Sequence, residues 1–253
     1  MHVWDVDAMP LPWFRDDLGL PRRASAADLG AALDAAGVDA AIAVQAADSD
    51  VEAAWLVSLA ETDAHVRRAV LQFRPGETVA PPSPAVAGIR AAVPQFAADL
   101  SDVSGLDRLA DDLGAIGLVL ELLLRPEQLP AAGALSRRHP STSIVVCHLG
   151  LGAGAPDASW HAALAEAAAA PGLHAKVSGL SLLSRGPEES RSVLGHALSA
   201  FGADRLLFGS DWPMSVRTAT YADVLSATRA ALPRPLDAHA FWAGTASRLY
   251  GLD

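Results

Sequence analysis

The chain has 253 residues, 51% of them hydrophobic, which is enough to bury one large core and suits a single α/β barrel better than two small domains. Its 19 basic and 29 acidic residues give a formal charge of −10, and the basic residues are never denser than the pairs Arg22-Arg23, Arg67-Arg68 and Arg137-Arg138, which argues against nucleic acid as a partner. Cys147 is the single cysteine, so disulfide frameworks and cysteine-based zinc clusters are excluded; without a basic, apolar leader at the start or an unbroken run of about 18 apolar residues, the expectation is a soluble, cytoplasmic protein with no membrane partner.

Eight short apolar runs with β character recur along the chain, at residues 3–4, 39–46, 67–73, 86–93, 117–124, 142–148, 173–178 and 205–210. Helix signals fill most of the intervals. Ser25 can cap 26–36, which stops at Gly37; Asp50 precedes 51–62; 103–113 stops at Gly114; a run starting at Pro126 ends near His139-Pro140. Segments 157–170 and 187–201 follow the same scheme, the second ending at Gly202, and two helices, 221–232 and 236–250, close the chain on either side of Pro233 and Pro235. Between the third and fourth runs lies R-P-G-E-T-V-A-P-P-S-P, whose prolines leave no room for a regular helix. Repeated strand-to-helix crossovers imply a parallel sheet, and eight of them in this length fit a (β/α)8 TIM barrel, one domain over residues 1–253, abbreviated between strands three and four.

In such a barrel the polar residues at the carboxyl ends of the strands converge on one mouth. The eighth run, L-L-F, breaks at G-S-D-W-P, so Asp211 and Trp212 stand where the strand opens into a loop. An aspartate there can take a proton from water or hold a metal; its ordinary alternative is a helix cap or an Asx turn. The other residues at strand ends are His2 and Trp4, Gln45, Gln72, Arg90, Glu121, His148, then Lys176 and Ser178. His148 follows four apolar residues and precedes L-G-L-G. Two imidazoles, His2 and His148, with the Asp211 carboxylate suit a divalent metal, most often zinc, around an open position; without metal, Asp211 serves as general base while the histidines polarise a carbonyl. Arg90 is placed to clamp a substrate carboxylate, with a surface ion pair as the alternative, and Lys176 between apolar neighbours reads as facing the mouth or ion-paired. Glu121 in L-V-L-E-L-L-L must be partnered or reach the cavity. Gln45 faces ligand or sits as a satisfied core amide, and Trp4, Trp13 and Trp212 line the mouth or simply pack.

Several stretches together resemble the amidohydrolase-2 family: H-V-W-D and P-W-F near the start, A-V-Q-A, G-I-R, V-V-C-H-L-G, H-A-K-V-S-G-L and R-L-L-F-G-S-D-W-P on successive strands, and F-W-A-G-T-A-S-R-L-Y-G-L at the close. These are TIM-barrel hydrolases of the amidohydrolase superfamily, and the likeness is greatest to the branch of sugar lactonases and pyrone-dicarboxylate lactonase. The resemblance implies opening of a lactone ring, or of a related ester or amide, in a small acidic or sugar-derived substrate. Asp211 would activate water and His148 would contact metal or substrate. Trp4, Gln45, Arg90, Glu121, Lys176 and Trp212 are the expected substrate-binding residues, and His2, His148 and Asp211 the metal ligands.

Three departures stand out. The family's His-x-His-x-Trp is matched only in its second half by His2-Val3-Trp4, which implies either that the start lies further upstream or that one ligand position is lost; Thr245 replaces the usual Asn; and no helix precedes strand four. The competing readings are a non-oxidative decarboxylase of the same superfamily and a barrel that binds a ligand without turning it over. Specificity should lie in the loops 11–21, 151–159 and 213–219, and an alanine-rich helical exterior is compatible with a homodimer.

Overall fold

A computed structural model describes residues 1–75, 83–233 and 239–252. Seven strands form one parallel, curled sheet in sequence order: β3 (Ala41–Val44), β4 (Val66–Gln72), β5 (Val86–Ala92), β6 (Val119–Leu123), β7 (Ile144–Val146), β8 (Leu173–Val177) and β9 (Leu206–Phe208). They match the second to eighth runs expected from sequence. The first run behaves differently: Trp4–Asp5 (β1) pairs antiparallel with Arg23–Ala24 (β2), outside the barrel. Met1 and His2 take the remaining barrel position instead. The Val44 N–H donates to the Met1 carbonyl at 2.8 Å, and the His2 N–H donates to the Trp212 carbonyl at 2.6 Å, so two residues bridge the first and last strands of the curl at its carboxyl end.

The helices pack outside, as crossovers between parallel strands require. α1 (Ala26–Ala36) carries the Ser25 cap, completed by Asp28 into a capping box, and ends at left-handed Gly37. α2 (Asp50–Thr62) starts one residue early because Ser49, not Asp50, is its cap. α3 (Leu106–Ile116) runs three residues past the expected stop: Gly117 provides the left-handed C-cap, while Gly114 lies inside the helix, where a Cβ would strike Thr142 Oγ1. A glycine kept for close approach thus reads, in sequence, like a terminator. α4 (Leu129–Arg138), α5 (Ala158–Ala168), a short α6 (Leu182–Arg185) that the sequence did not signal, α7 (Pro187–Phe201) and α8 (Tyr221–Ala231) follow. The expected helix 236–250 begins outside the described residues; within them it is a π-turn, Ala240–Gly244, leading into α9 (Thr245–Tyr250). The proline-rich interval between β4 and β5 falls largely on residues 76–82, also outside the description. Among the described residues no helix is long and apolar enough to cross a membrane.

Inside the curl, Val44, Val70, Ala87, Val119, Val145 and Leu207 form an apolar layer closed by Tyr250 of α9. Two residues further along β6 toward the mouth comes Glu121, so the lumen changes from apolar to charged within one strand.

On the outer surface, His139 is 9% exposed and each ring nitrogen faces a carboxylate: Nε2 lies 2.7 Å from Asp107 and Nδ1 2.7 Å from Asp111. Only the doubly protonated ring can donate to both. Burial acts to lower its pKa, but the two carboxylates outweigh it and hold the value above the ordinary 6.5. The imidazolium therefore stabilises the fold fully below pH ~6.5, and this contribution is lost as pH rises through the higher folded-state value. His139→Gln should remove a wild-type advantage on the order of 2 °C in thermal midpoint at pH 6, and the two proteins should converge by pH 9. Parallel midpoints across that range in scanning calorimetry would contradict the assignment.

Candidate active site

The three chemical side chains arrive at the mouth by different local devices. β7 ends at Val146, and the chain then turns through His148 and Leu149 with φ of 55° and 54°. β9 ends at Phe208, and Asp211 takes φ 54° three residues later. Non-glycine residues rarely adopt this conformation, and its concentration at two strand ends facing one cavity is a mark of a functional site. His2 is fixed by the seam: its backbone is tied to Trp212 and its Nδ1 lies 2.7 Å from the Val44 carbonyl.

A carbonyl oxygen only accepts, so the His2 proton is on Nδ1 and Nε2 carries a lone pair. Burial, with Arg90 adding to it, holds the His2 pKa well below 6.5, so the ring is neutral. That bare Nε2 faces Asp211 Oδ1 at 3.8 Å. His148 Nε2 faces the same oxygen at 4.0 Å, while its Nδ1 pairs with Ser178 Oγ at 2.8 Å. Burial lowers the His148 pKa too, against the opposing pull of Asp211. Two neutral imidazoles and a carboxylate, 11%, 21% and 17% exposed at the side chain, therefore face a common space, into which His2 Nε2 and Asp211 Oδ1 present acceptors and His148 Nε2 presents a donor or an acceptor according to whether Ser178 donates to its Nδ1 or accepts from it. Such a face requires a cation, a proton or a donor group between its members. The donor set fits a divalent metal chemically. Its spacing is open, and no cluster of three His, Cys, Asp or Glu among the described residues closes into a metal site.

Below this trio the lumen charges pair among themselves. Glu121 is fully buried and accepts from Lys176 Nζ at 2.5 Å, Tyr250 Oη at 2.7 Å and Cys147 Sγ at 3.6 Å. Burial works to raise its pKa, but Lys176, Tyr250 and Arg90 outweigh that and hold it below the usual range. Cys147 is pushed up to about 12 by burial, so it remains a thiol. Arg90, beside Glu121 in the β5–β6 register, donates to the Gln45 carbonyl and to Gln72 Oε1, both neutral oxygens, and borders the cavity. A cavity of about 430 Å³ runs from His2, His148 and Asp211 past Arg90, Lys176 and Glu121 to Tyr250, within the range of small-ligand sites.

The other candidates are structural. The Gln45 amide is spent at both ends, Nε2 on the Ser49 carbonyl and Oε1 on the Gln72 N–H, so it is a core amide rather than a ligand group. Trp4 has no exposure; its indole donates to the Pro21 carbonyl and meets Trp13 edge-on at 5.5 Å, because β1 turns outward to β2 instead of lining the barrel. Trp212 is 7% exposed and packs into the same cluster. Glu121 meets the expectation that it must be partnered, and it also borders the cavity.

Two contributors, Gly179 and Glu52, escaped the sequence reading, and Ser178, which it placed at a strand end, had no role there. Ser178 orients His148. Gly179, at φ +60°, leaves no room for a side chain: a Cβ there would stand 2.6 Å from His148 Nδ1. The signal was present in K-V-S-G, where the glycine directly follows the strand end. Glu52, fully buried, accepts from the Ala46 and Ala47 N–H groups at 2.6 and 2.7 Å and so shapes the turn after β3; on a helix, nothing local distinguished it from a surface acid.

Replacing Lys176 by Met strands a buried carboxylate and should destabilise the fold by about 3 kcal/mol or more, whereas Lys176→Met with Glu121→Gln should recover most of that loss. Urea unfolding of the two single variants and the double variant checks this; additive effects would show that the pair is not coupled.

Comparison with known proteins is consistent along the whole chain. The family model described as Amidohydrolase matches residues 1–252. An L-fucono-1,5-lactonase of Burkholderia multivorans is 33% identical over 99% of this chain and 94% of that protein. The crystal structure of an amidohydrolase from Burkholderia multivorans with bound zinc superposes with a TM-score of 0.85 at 30% identity, covering 99% of this chain and 96% of that one. Amidohydrolase 2 from Bifidobacterium longum subsp. infantis superposes at 0.81 with 26% identity, over 100% and 96% of the two chains.

Proposed function

The chain belongs to this amidohydrolase family, whose members adopt the TIM barrel, and from that premise we propose that it is a lactonase that opens a sugar-acid 1,5-lactone with water. The observation that carries the reading is the Asp211 carboxylate directed at the open side of two neutral imidazoles at the head of a ligand-sized cavity. The likeness to an L-fucono-1,5-lactonase supports the choice of substrate class.

Lactone opening needs a proton taken from water, charge stabilised on the carbonyl oxygen, and a proton returned to the departing ring oxygen. Asp211 Oδ1 is the acceptor for the first step. His148 can donate from Nε2 when the Ser178 hydroxyl donates to its Nδ1, which suits it to the carbonyl oxygen. His2 cannot take that role while neutral, because its one ring proton is committed to Val44; its lone pair instead receives a proton or a cation. His2 Nε2, His148 Nε2 and Asp211 Oδ1 are the atoms that would hold zinc, which when bound supplies Lewis acidity to the carbonyl and to water. Arg90 stands at the cavity wall and orients substrate hydroxyls. Binding of a doubly charged acid is disfavoured, since Lys176 is already neutralised by Glu121.

Asp211→Asn should keep the fold and lose 10²- to 10⁴-fold in kcat/KM on L-fucono-1,5-lactone, followed by loss of the lactone or by acid release. Full activity in that variant would remove the assignment. Gly179→Ala should reduce kcat about tenfold or more with a smaller change in KM, because the added methyl displaces the His148 ring rather than the substrate; a KM effect alone would contradict that reading.

A further inference from the structure

His148 is aimed at the mouth by a costly turn. It and Leu149 both take left-handed backbone, at φ 55° and 54°, which residues with a Cβ keep only where their surroundings impose it. Part of that support is local: the His148 carbonyl accepts from the Leu151 and Gly152 N–H groups at 2.9 and 3.0 Å, and the Leu149 carbonyl accepts from the Trp160 indole at 3.0 Å. Beyond Leu151, however, the chain runs largely exposed and without helix or strand as far as the Asp157 cap of α5. A turn continued by such a stretch needs an anchor further out.

The anchor is Arg185, the last residue of α6. Its side chain is 6% exposed; Nη2 donates to the Gly152 carbonyl at 3.0 Å and to the Gly154 carbonyl at 2.5 Å, and Nε donates to the Leu180 carbonyl at 2.6 Å. The first two oxygens belong to the loop after β7, which carries His148. The third belongs to the loop after β8, whose Ser178 bonds His148 Nδ1 and whose Gly179 leaves room for the ring. One guanidinium thus ties together the two loops that meet on the imidazole. Nη1 pairs with Glu189 of α7 at 2.8 Å, and with that acid 42% exposed the pair contributes little by itself. Three charge-assisted bonds from a buried cation to two different loops are another matter, since they fix the separation of those loops. A lysine, with one nitrogen on a flexible stem, does not span the same three oxygens.

We propose that Arg185 is a positioning residue for His148: it does not border the cavity, and it acts by holding the loops after β7 and β8 at the separation that keeps the ring against Ser178 with Nε2 turned toward Asp211. Its kinetic signature rests on the lactonase reading above, while the clamp itself rests on the contacts alone. Loss of the clamp misaims a catalytic group without removing a substrate contact, so it acts on turnover and not on binding.

The test uses Arg185→Ala, Arg185→Lys and Glu189→Gln with L-fucono-1,5-lactone. Both Arg185 variants should lose about tenfold or more in kcat with KM within about twofold of wild type, the lysine included although it keeps the charge, and Glu189→Gln should stay within about twofold in both constants. Guanidinium chloride at low millimolar concentration, far below denaturing levels, should return part of the lost kcat to Arg185→Ala and leave wild type unchanged. A readout free of turnover is the imidazole signal of His148 in histidine-labelled protein, which should move or split in both Arg185 variants while the other histidine signals hold. A KM rise at unchanged kcat, or unchanged kcat with an unmoved His148 signal, would overturn the proposal. So would a general collapse of all histidine signals and of the thermal midpoint in both variants, which is loss of fold and not of aim. If the wild-type protein opens no lactone, the lactonase reading falls and the His148 signal alone decides the clamp: moved in Arg185→Lys, the clamp stands; unmoved, it fails.

Discussion

The His2 backbone N–H donates to the Trp212 carbonyl and its ring donates to the Val44 carbonyl, so one residue holds the two ends of a seven-stranded curl together at the mouth. Everything chemical in the structure depends on that seam. It brings Asp211, more than two hundred positions away in the chain, against the ring of His2, and it dictates which nitrogen of that ring is bare. Because a backbone carbonyl makes the tautomer choice, the arrangement does not depend on the rotamer of any neighbouring side chain.

A second constraint lies one layer down. The lumen could have been filled with apolar side chains throughout, as it is between Val44 and Leu207, but it turns charged at Arg90, Glu121 and Lys176. Burying Glu121 is tolerable only because Lys176, Tyr250 and Cys147 all address it, while Arg90, beside it at the cavity, donates to the neutral oxygens of Gln45 and Gln72. Arg90, Asp211 and the two neutral imidazoles thus face the cavity. Backbone in the left-handed region at His148, Leu149 and Asp211 sits beside these groups, where conformational cost is exchanged for side-chain aim.

The sequence made the repeated strand and helix pattern legible, because buried parallel strands leave continuous apolar runs and helices end on glycines and prolines. It also pointed to His2, His148 and Asp211, which stand where apolar runs break. It was less informative wherever a residue's role is set by a distant neighbour. Gly114 looked like a stop and is a contact against Thr142; Trp4 looked like a barrel residue and packs outward, since β1 pairs with β2; Gln45 looked available and is tied to Ser49 and Gln72. Gly179 and Ser178 form the setting of His148 from an adjacent strand, a relation created by the β7–β8 pairing and invisible in either segment alone.

The most direct test of the account is the protonation of the His2 ring, read from nitrogen-15 and proton correlation spectra of the imidazoles in histidine-labelled protein near pH 7. The expected result is a neutral ring with its proton on Nδ1 and a bare Nε2 toward Asp211. A His2 ring carrying its proton on Nε2, or protonated on both nitrogens, would mean that it donates to the carboxylate as an ordinary ion pair, and the proposed site would lose the open acceptor face on which its chemistry depends.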